Sequence, residues 1–221
     1  MSDDHLVLAG GGHSHALILR RWCMQPRLKP QGLITLVNRN STTIYSGMVP
    51  GLIAGYYAVD DLLIDLRALA DNAGIVFVCG EIVGLNIKNK CLFLKGRPPI
   101  FYERLSLDIG SETSKQHRYS QNSISDMEIP VKPLIPALEW IERQDKEALR
   151  NNEDQFTVVG TGLSAVESVL ALRSRWPMRL LNLQADILQL KPQFKQALLE
   201  SRINLIPRGD LISGPSLLCT G

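Results

Sequence analysis

LVLAGGGHSHA at Leu6–Ala16 and TVVGTGLSAVE at Thr157–Glu167 decide how this 221-residue chain is read. Each segment runs from an apolar strand through a glycine-rich turn into a helix, and Gly12 and Gly162 hold the same place in the two copies. The first glycine of such a turn lets the chain reverse. The second lets a pyrophosphate approach the backbone, with its charge at the helix N-terminus. One GxGxxG-like match is weak, because glycine clusters are common; two in the same strand–turn–helix context are strong. The repeat predicts two dinucleotide sites, for which electron transfer between the bound groups is the usual reason. The competing reading is a pair of glycine-rich turns without ligands.

Both turns depart from the common pattern. In the first, Gly10 and Gly12 take the critical positions, but His15 stands where the third glycine would be and Ala16 follows. The second strand ends at Asn38, followed by Arg39, where an acid usually binds the ribose. Asparagine bonds a hydroxyl more weakly than a carboxylate does. In the second turn Gly160 and Gly162 are followed by Ala165, and the next strand ends at Gln184, with Asp186 just beyond. Without the acid, a 2′-phosphate is not repelled, so NADH and NADPH both stay open. Glu167 is placed near the nicotinamide end or, equally, is a solvated helix glutamate. His13 and His15 face different sides of a helix and have no Cys/His cluster nearby, so no metal is expected. They are read as neutral histidines at a helix N-terminus, hydrogen-bonding a phosphate if one is bound. Lys132 is read as a charged linker residue. No Ser/His/Asp grouping or GxxxxGK[ST] occurs, and no catalytic residue is assigned.

Around these turns the pattern predicts strands at 5–9, 33–37, 75–78, 105–109, 156–159, 179–183, 203–206 and 217–219. Helices are expected at 13–25, 61–72, 133–150, 163–175 and 194–201, with Pro26 and Pro177 stopping the two that follow the glycine turns. Short pieces at 81–88, 90–95 and 100–102, separated by Asn89 and Gly96–Pro99, predict an antiparallel meander. Residues 40–57 read as a long loop of ligand-binding character. Polar, aperiodic Ser111–Asp126 marks the domain boundary.

Hydrophobic residues make up 45% and charged residues 21%, the balance of a globular chain able to bury a core. A net charge of +2, from 24 basic and 22 acidic side chains, argues against nucleic acid as a partner. The acidic start MSDDHLVLAGGG enters a strand at once, so no secretory leader is expected. No run of about 18 apolar residues predicts a membrane span. Cys23, Cys79, Cys91 and Cys219 form no CxxC, so buried thiols in a cytoplasmic protein are expected. The alternative is a redox pair assembled by folding.

Together these segments resemble the pyridine nucleotide–disulfide oxidoreductase superfamily, in particular its branch near type II NADH dehydrogenases. The resemblance covers nearly the whole chain. It is carried by GGGHSHA (Gly10–Ala16), STTIYSGMVPGLIAG (Ser41–Gly55), LSLDIGS (Leu105–Ser111), IPVKP (Ile129–Pro133) and VVGTGLSAVE (Val158–Glu167). HSH followed by YSGMVPG is most similar to the flavoprotein domain fused ahead of selenide, water dikinase in some bacteria.

The resemblance implies an α/β fold of two Rossmann-like domains, an NAD(P)-binding domain inserted in an FAD-binding one, with a small antiparallel meander. Residues 1–110 would form the first segment of the FAD domain, 111–127 a linker, and 128–221 the NAD(P) domain. Gly10, Gly11, Gly12, His13 and Ser14 would hold the FAD pyrophosphate, and Asn38 and Arg39 the adenosine end. Ser46, Gly47 and Pro50 would lie on the flavin side. Gly110 closes the strand where the family has A-T-G and this chain has Asp108–Ile109–Gly110. Gly160, Gly162, Leu163, Ser164, Glu167 and Gln184 would hold NADH or NADPH.

The implied activity is that of an FAD-dependent NAD(P)H:acceptor oxidoreductase, the acceptor being quinone-like or selenium-containing. The alternative is a non-catalytic flavin-binding or regulatory module serving selenophosphate synthesis, with selenide, water dikinase as partner or fusion. Thr220–Gly221 matches the family's return strand. In the family a Gly-Asp segment that closes the FAD site follows, then a region for dimerisation or membrane docking. The 221-residue chain is therefore expected to hold FAD weakly, to form homo-oligomers through an open sheet edge, and to meet a membrane only through that further region.

Overall fold

The continuous apolar run Leu6–Ala9 buries both faces of the first strand, and this places the first glycine turn at the centre of a layered unit. A computed structural model describes residues 4–111, 128–151, 155–212 and 214–219. Its elements begin with β1 (His5–Ala9), α1 (His13–Met24), β2 (Leu33–Asn38), β3 (Thr42–Ile44), α2 (Val49–Ile53), β4 (Leu63–Asp65) and α3 (Leu66–Asn72). There follow β5 (Val76–Cys79), β6 (Ile82–Asn86), β7 (Cys91–Leu94), β8 (Arg97–Phe101) and β9 (Arg104–Leu107). The remainder is β10 (Glu128–Pro130), α4 (Leu134–Asn151), β11 (Gln155–Val159), α5 (Leu163–Arg175), β12 (Leu180–Ala185), α6 (Pro192–Glu200), β13 (Asn204–Pro207) and β14 (Ser216–Leu218). The chain divides into a unit of residues 1–47 and 59–110 and a unit of residues 48–58 and 111–221.

In the first unit a parallel sheet has the order β5-β2-β1-β9. Leu6 and Leu8 pack on one side with Leu19 and Trp22 of α1 and Leu66 of α3. Val7 and Ala9 face the other side, against Leu92 and Leu94 of the antiparallel meander β6-β7-β8. The two-residue period of a strand divides β1 between these two cores. The segment 61–72, expected as one helix, is split. Leu63–Asp65 pairs antiparallel with Thr42–Ile44, and the helix starts only at Leu66. Asp65 is the reason: its side chain accepts the Ala68 N–H at 2.9 Å and caps the helix there. The expected loop 40–57 likewise contains β3 and the short helix α2, whose first turn holds Pro50.

In the second unit all five strands are parallel, in the order β10-β14-β11-β12-β13. Residues 128–130, for which no strand is expected from the sequence, form β10, with Ile129 opposite Leu217. Residues 112–127, read as the boundary, lie outside the described residues, as do Thr220 and Gly221. α2 packs against α5, and Arg175 donates from Nη1 to the Ile53 carbonyl (3.2 Å) while pairing with Asp145. Phe156 is fully buried between Trp140 and Trp176, with ring centroids 5.6 and 4.9 Å away.

Candidate dinucleotide sites

At the end of β1, Gly10 turns the chain with φ +92°, and its N–H donates to Val37 O (2.8 Å). A Cβ there would meet the Asp108–Ile109 backbone, with Ile109 Cα at 2.7 Å. The Gly11 N–H donates to Asn38 Oδ1 (2.9 Å), and a Cβ on Gly11 would run into the Leu66 and Asn38 side chains. The Gly12 N–H donates to Asp108 O (3.0 Å), and a Cβ on Gly12 would run into the Asp108 carboxylate. That carboxylate also accepts the His15 N–H through Oδ2 (3.0 Å). Asp108, just past β9, thus caps α1 from another element, and negative charge is favoured at that end of a helix. At Gly10 the positive φ and the facing backbone require glycine, whereas at Gly11 and Gly12 a Cβ would have to displace neighbouring side chains.

His15 is buried, and the structure corrects the expectation that it faces a phosphate. A carbonyl only accepts, so Nδ1–H donates to Gly10 O (2.7 Å), while Nε2 shares a hydrogen bond with the Ser106 hydroxyl (2.8 Å). The residue in the third-glycine position ties the turn to β9. His13 is exposed, its ring 6.1 Å from that of Tyr45, and Ser14 is exposed beside it. Among the described residues the N–H groups of His13 and Ser14 have no acceptor. The Asn38 side chain is used internally, accepting from Gly11 and donating to Asn40 O (2.8 Å). Arg39 is exposed and paired with Glu81 at 3.1 Å. Ser46 and Gly47 are exposed in a short turn of the first unit, whereas Pro50 lies in α2 of the second. Gly110 is exposed at φ +76°.

The second turn repeats the backbone and changes its surroundings. Gly160, with φ +150°, donates to Gln184 O (2.9 Å), and a Cβ there would meet Cys219 O (2.7 Å). Gly162 caps α5 with φ −76° and ψ 170°, and among the described residues a Cβ there would meet nothing within 4 Å. Gly162, Leu163 and Ser164 are exposed, and their N–H groups have no acceptor among the described residues. This is an open helix N-terminus. Glu167 is exposed one turn further along α5. The Gln184 side chain is buried and donates to Asp210 O (2.7 Å), so it is turned away from the turn's mouth. Thr161 Oγ1 accepts the Asp186 N–H (2.9 Å), joining the turn to the segment after β12.

Asp108 and Cys219 occupy corresponding places. The Asp108 N–H donates to Ala9 O (2.8 Å), and the Cys219 N–H donates to Val159 O (2.8 Å). Burial pushes the Cys219 thiol up to about 11, although hydrogen bonds with Ser168 and Ser164 pull it the other way. At pH 8 only roughly one Cys219 in a thousand is then thiolate, the reactive form. All four cysteines are free, with Cys23 and Cys79 partly exposed. Brief alkylation of the native protein at pH 8, followed by peptide mass spectrometry, should label Cys23 and Cys79 and leave Cys219 unlabelled. Equal labelling of Cys219 would contradict its burial. Sequence reasoning noted Asp108 only as a departure from A-T-G. Its role as a cap depends on a partner 93 positions away.

No protein-family model matches the sequence, and no curated protein matches it. Solved structures do match. Reduced CoADR-RHD from Bacillus anthracis is similar at TM-score 0.74 and 18% identity, over 100% of this chain and 44% of that one. The sulfide:quinone oxidoreductase of Aquifex aeolicus is similar at TM-score 0.72 and 16% identity, over 97% and 58%. NDH2 from Plasmodium falciparum in complex with NADH is similar at TM-score 0.71 and 13% identity, over 99% and 55%. The chain shares the fold of these structures, parallel α/β units of the Rossmann-like FAD/NAD-binding kind. The chain spans about half the length of these structures. Among the described residues no helix is long and apolar enough to cross a membrane, and no group of three His, Cys, Asp or Glu could hold a metal.

Proposed function

We propose that this chain supplies the two dinucleotide-binding units of an FAD-dependent NAD(P)H:acceptor oxidoreductase. The observation that carries the reading is Gly162. Neither its backbone angles nor any neighbouring atom among the described residues requires glycine, and it lies beside exposed helix donors. A ligand that must come against the backbone supplies the missing reason. In this reading the N–H groups of Gly162, Leu163 and Ser164 hold the pyrophosphate of NADH or NADPH, and Glu167 lies toward its nicotinamide. Gln184 holds the turn in shape through its main chain, with Asp210 occupying its side chain.

The first turn fits FAD by the same backbone, with His13 and Ser14 offering unused N–H donors. When bound, FAD would accept hydride from the nicotinamide and pass electrons to the acceptor, which we take to be quinone-like or selenium-containing. The chain's own part is to bind, orient and shield. Arg39, Ser46, Gly47, Pro50 and Gly110 are proposed as further FAD contacts, and Asn38 as the residue that shapes the turn. A non-catalytic flavin-binding or regulatory module, with selenide, water dikinase as partner, is favoured by one observation. Both residues at the usual ribose-acid positions, Asn38 and Gln184, have side chains engaged within the protein.

Reconstitution with FAD, followed by anaerobic addition of NADH or NADPH, distinguishes these readings. The oxidoreductase reading expects a yellow protein whose blue absorption bleaches on addition of one or both nucleotides. A yellow protein that neither nucleotide bleaches supports the module. A colourless protein that no amount of FAD reconstitutes overturns both.

A further inference from the structure

We propose that Asp108 is a built-in competitor for the anion site of the first unit, and that its carboxylate must move aside before a dinucleotide pyrophosphate can settle on α1. The inference rests on reading the first turn as a flavin site. The second glycine of such a turn leaves room for the pyrophosphate on the side where its Cβ would be. At Gly12 the three atoms nearest that position are Oδ1, Cγ and Oδ2 of Asp108. The residue also takes two of the turn's donors, Gly12 N–H through its carbonyl and His15 N–H through Oδ2. Asn38 takes a third, the Gly11 N–H. An incoming pyrophosphate would meet like charge at close range, where partial burial weakens screening.

The second unit provides the internal comparison. Its residue at the corresponding place in the sheet is Cys219, a neutral thiol, and no atom of the described residues lies within 4 Å of where a Gly162 Cβ would be. The same fold therefore carries one anion site ready for use and one that is self-occupied. Asp108 sets the difference.

Asp108→Asn tests this, because an amide oxygen can still accept the His15 N–H while the charge is lost. Asp108→Cys, the residue of the second unit, is the companion variant. FAD is titrated into each protein at fixed ionic strength and followed by flavin fluorescence, with NADH titrated separately. Both variants should bind FAD at least about tenfold more tightly than the unaltered chain, with NADH affinity unchanged. A merely structural role for Asp108 would lower FAD affinity instead. Equal or weaker FAD binding by the folded Asn variant overturns the proposal and leaves the flavin reading standing. Absence of FAD binding in all three proteins overturns the flavin reading, and this proposal with it.

Discussion

Gly162→Val should abolish reduction of bound flavin by NADH or NADPH while leaving FAD affinity unchanged. Valine fits the backbone at this position, since φ −76° and ψ 170° lie in the extended region that β-branched residues favour. Among the described residues nothing lies within 4 Å of the Cβ, so the side chain meets no packed neighbour there. The cost to the fold is confined to a poorer helix cap, about 1 kcal/mol. A pyrophosphate held by the Gly162, Leu163 and Ser164 N–H groups would instead be pushed out of hydrogen-bonding range. A loss of at least about 100-fold in nicotinamide affinity is expected, equivalent to about 2.7 kcal/mol. Stopped-flow bleaching of the flavin-loaded variant reads the loss, and thermal melting checks the fold. Unchanged reduction would show that the nucleotide binds elsewhere. The equivalent change in the first unit is a poor probe, because Gly12→Val drives its side chain into the Asp108 carboxylate and disturbs the fold itself.

Phe156→Ala should be the most destabilising core substitution in the second unit. The ring is 0% exposed, lies between Trp140 and Trp176, and has the Arg179 guanidinium 5.4 Å from its centroid. Removing it deletes the centre of this stack and leaves a cavity among large, rigid groups that cannot close over it. Such changes cost about 3–5 kcal/mol, a large share of the roughly 5–15 kcal/mol that holds a domain folded. The melting temperature should fall by roughly 10 °C. A calorimetric shift of less than about 2 °C would show that the neighbouring rings relax into the gap.

Both glycine turns were legible in the sequence because what specifies them is local. A continuous apolar run predicted β1, the glycine turns and the stopping prolines Pro26 and Pro177 bounded α1 and α5, and Gly10 and Gly160 stand where the chain must reverse with positive φ. The meander was legible for the same reason, its strands being separated by local turn residues. Other features resisted. The helix expected over 61–72 failed because Leu63–Asp65 finds a strand partner about 20 positions upstream, and pairing overrode its apolar period. The strand at 128–130 was not legible because its partner, β14, lies far along the chain.

Composition, period and turn chemistry thus determined that the chain builds two strand–glycine–helix units in parallel sheets. These are preferences of a few residues among themselves and survive in any context that lets the units form. Only the tertiary structure decided what surrounds each turn. His15 became a buried bridge to Ser106 across 91 positions, Asn38 became an internal acceptor for Gly11, and Asp108 came to cap α1 across 93. Nothing within those residues' own neighbourhoods announces such partners. The pairing of β9 with β1 brings the Asp108 carboxylate to the first turn, and the pairing of β14 with β11 brings the Cys219 thiol to the second.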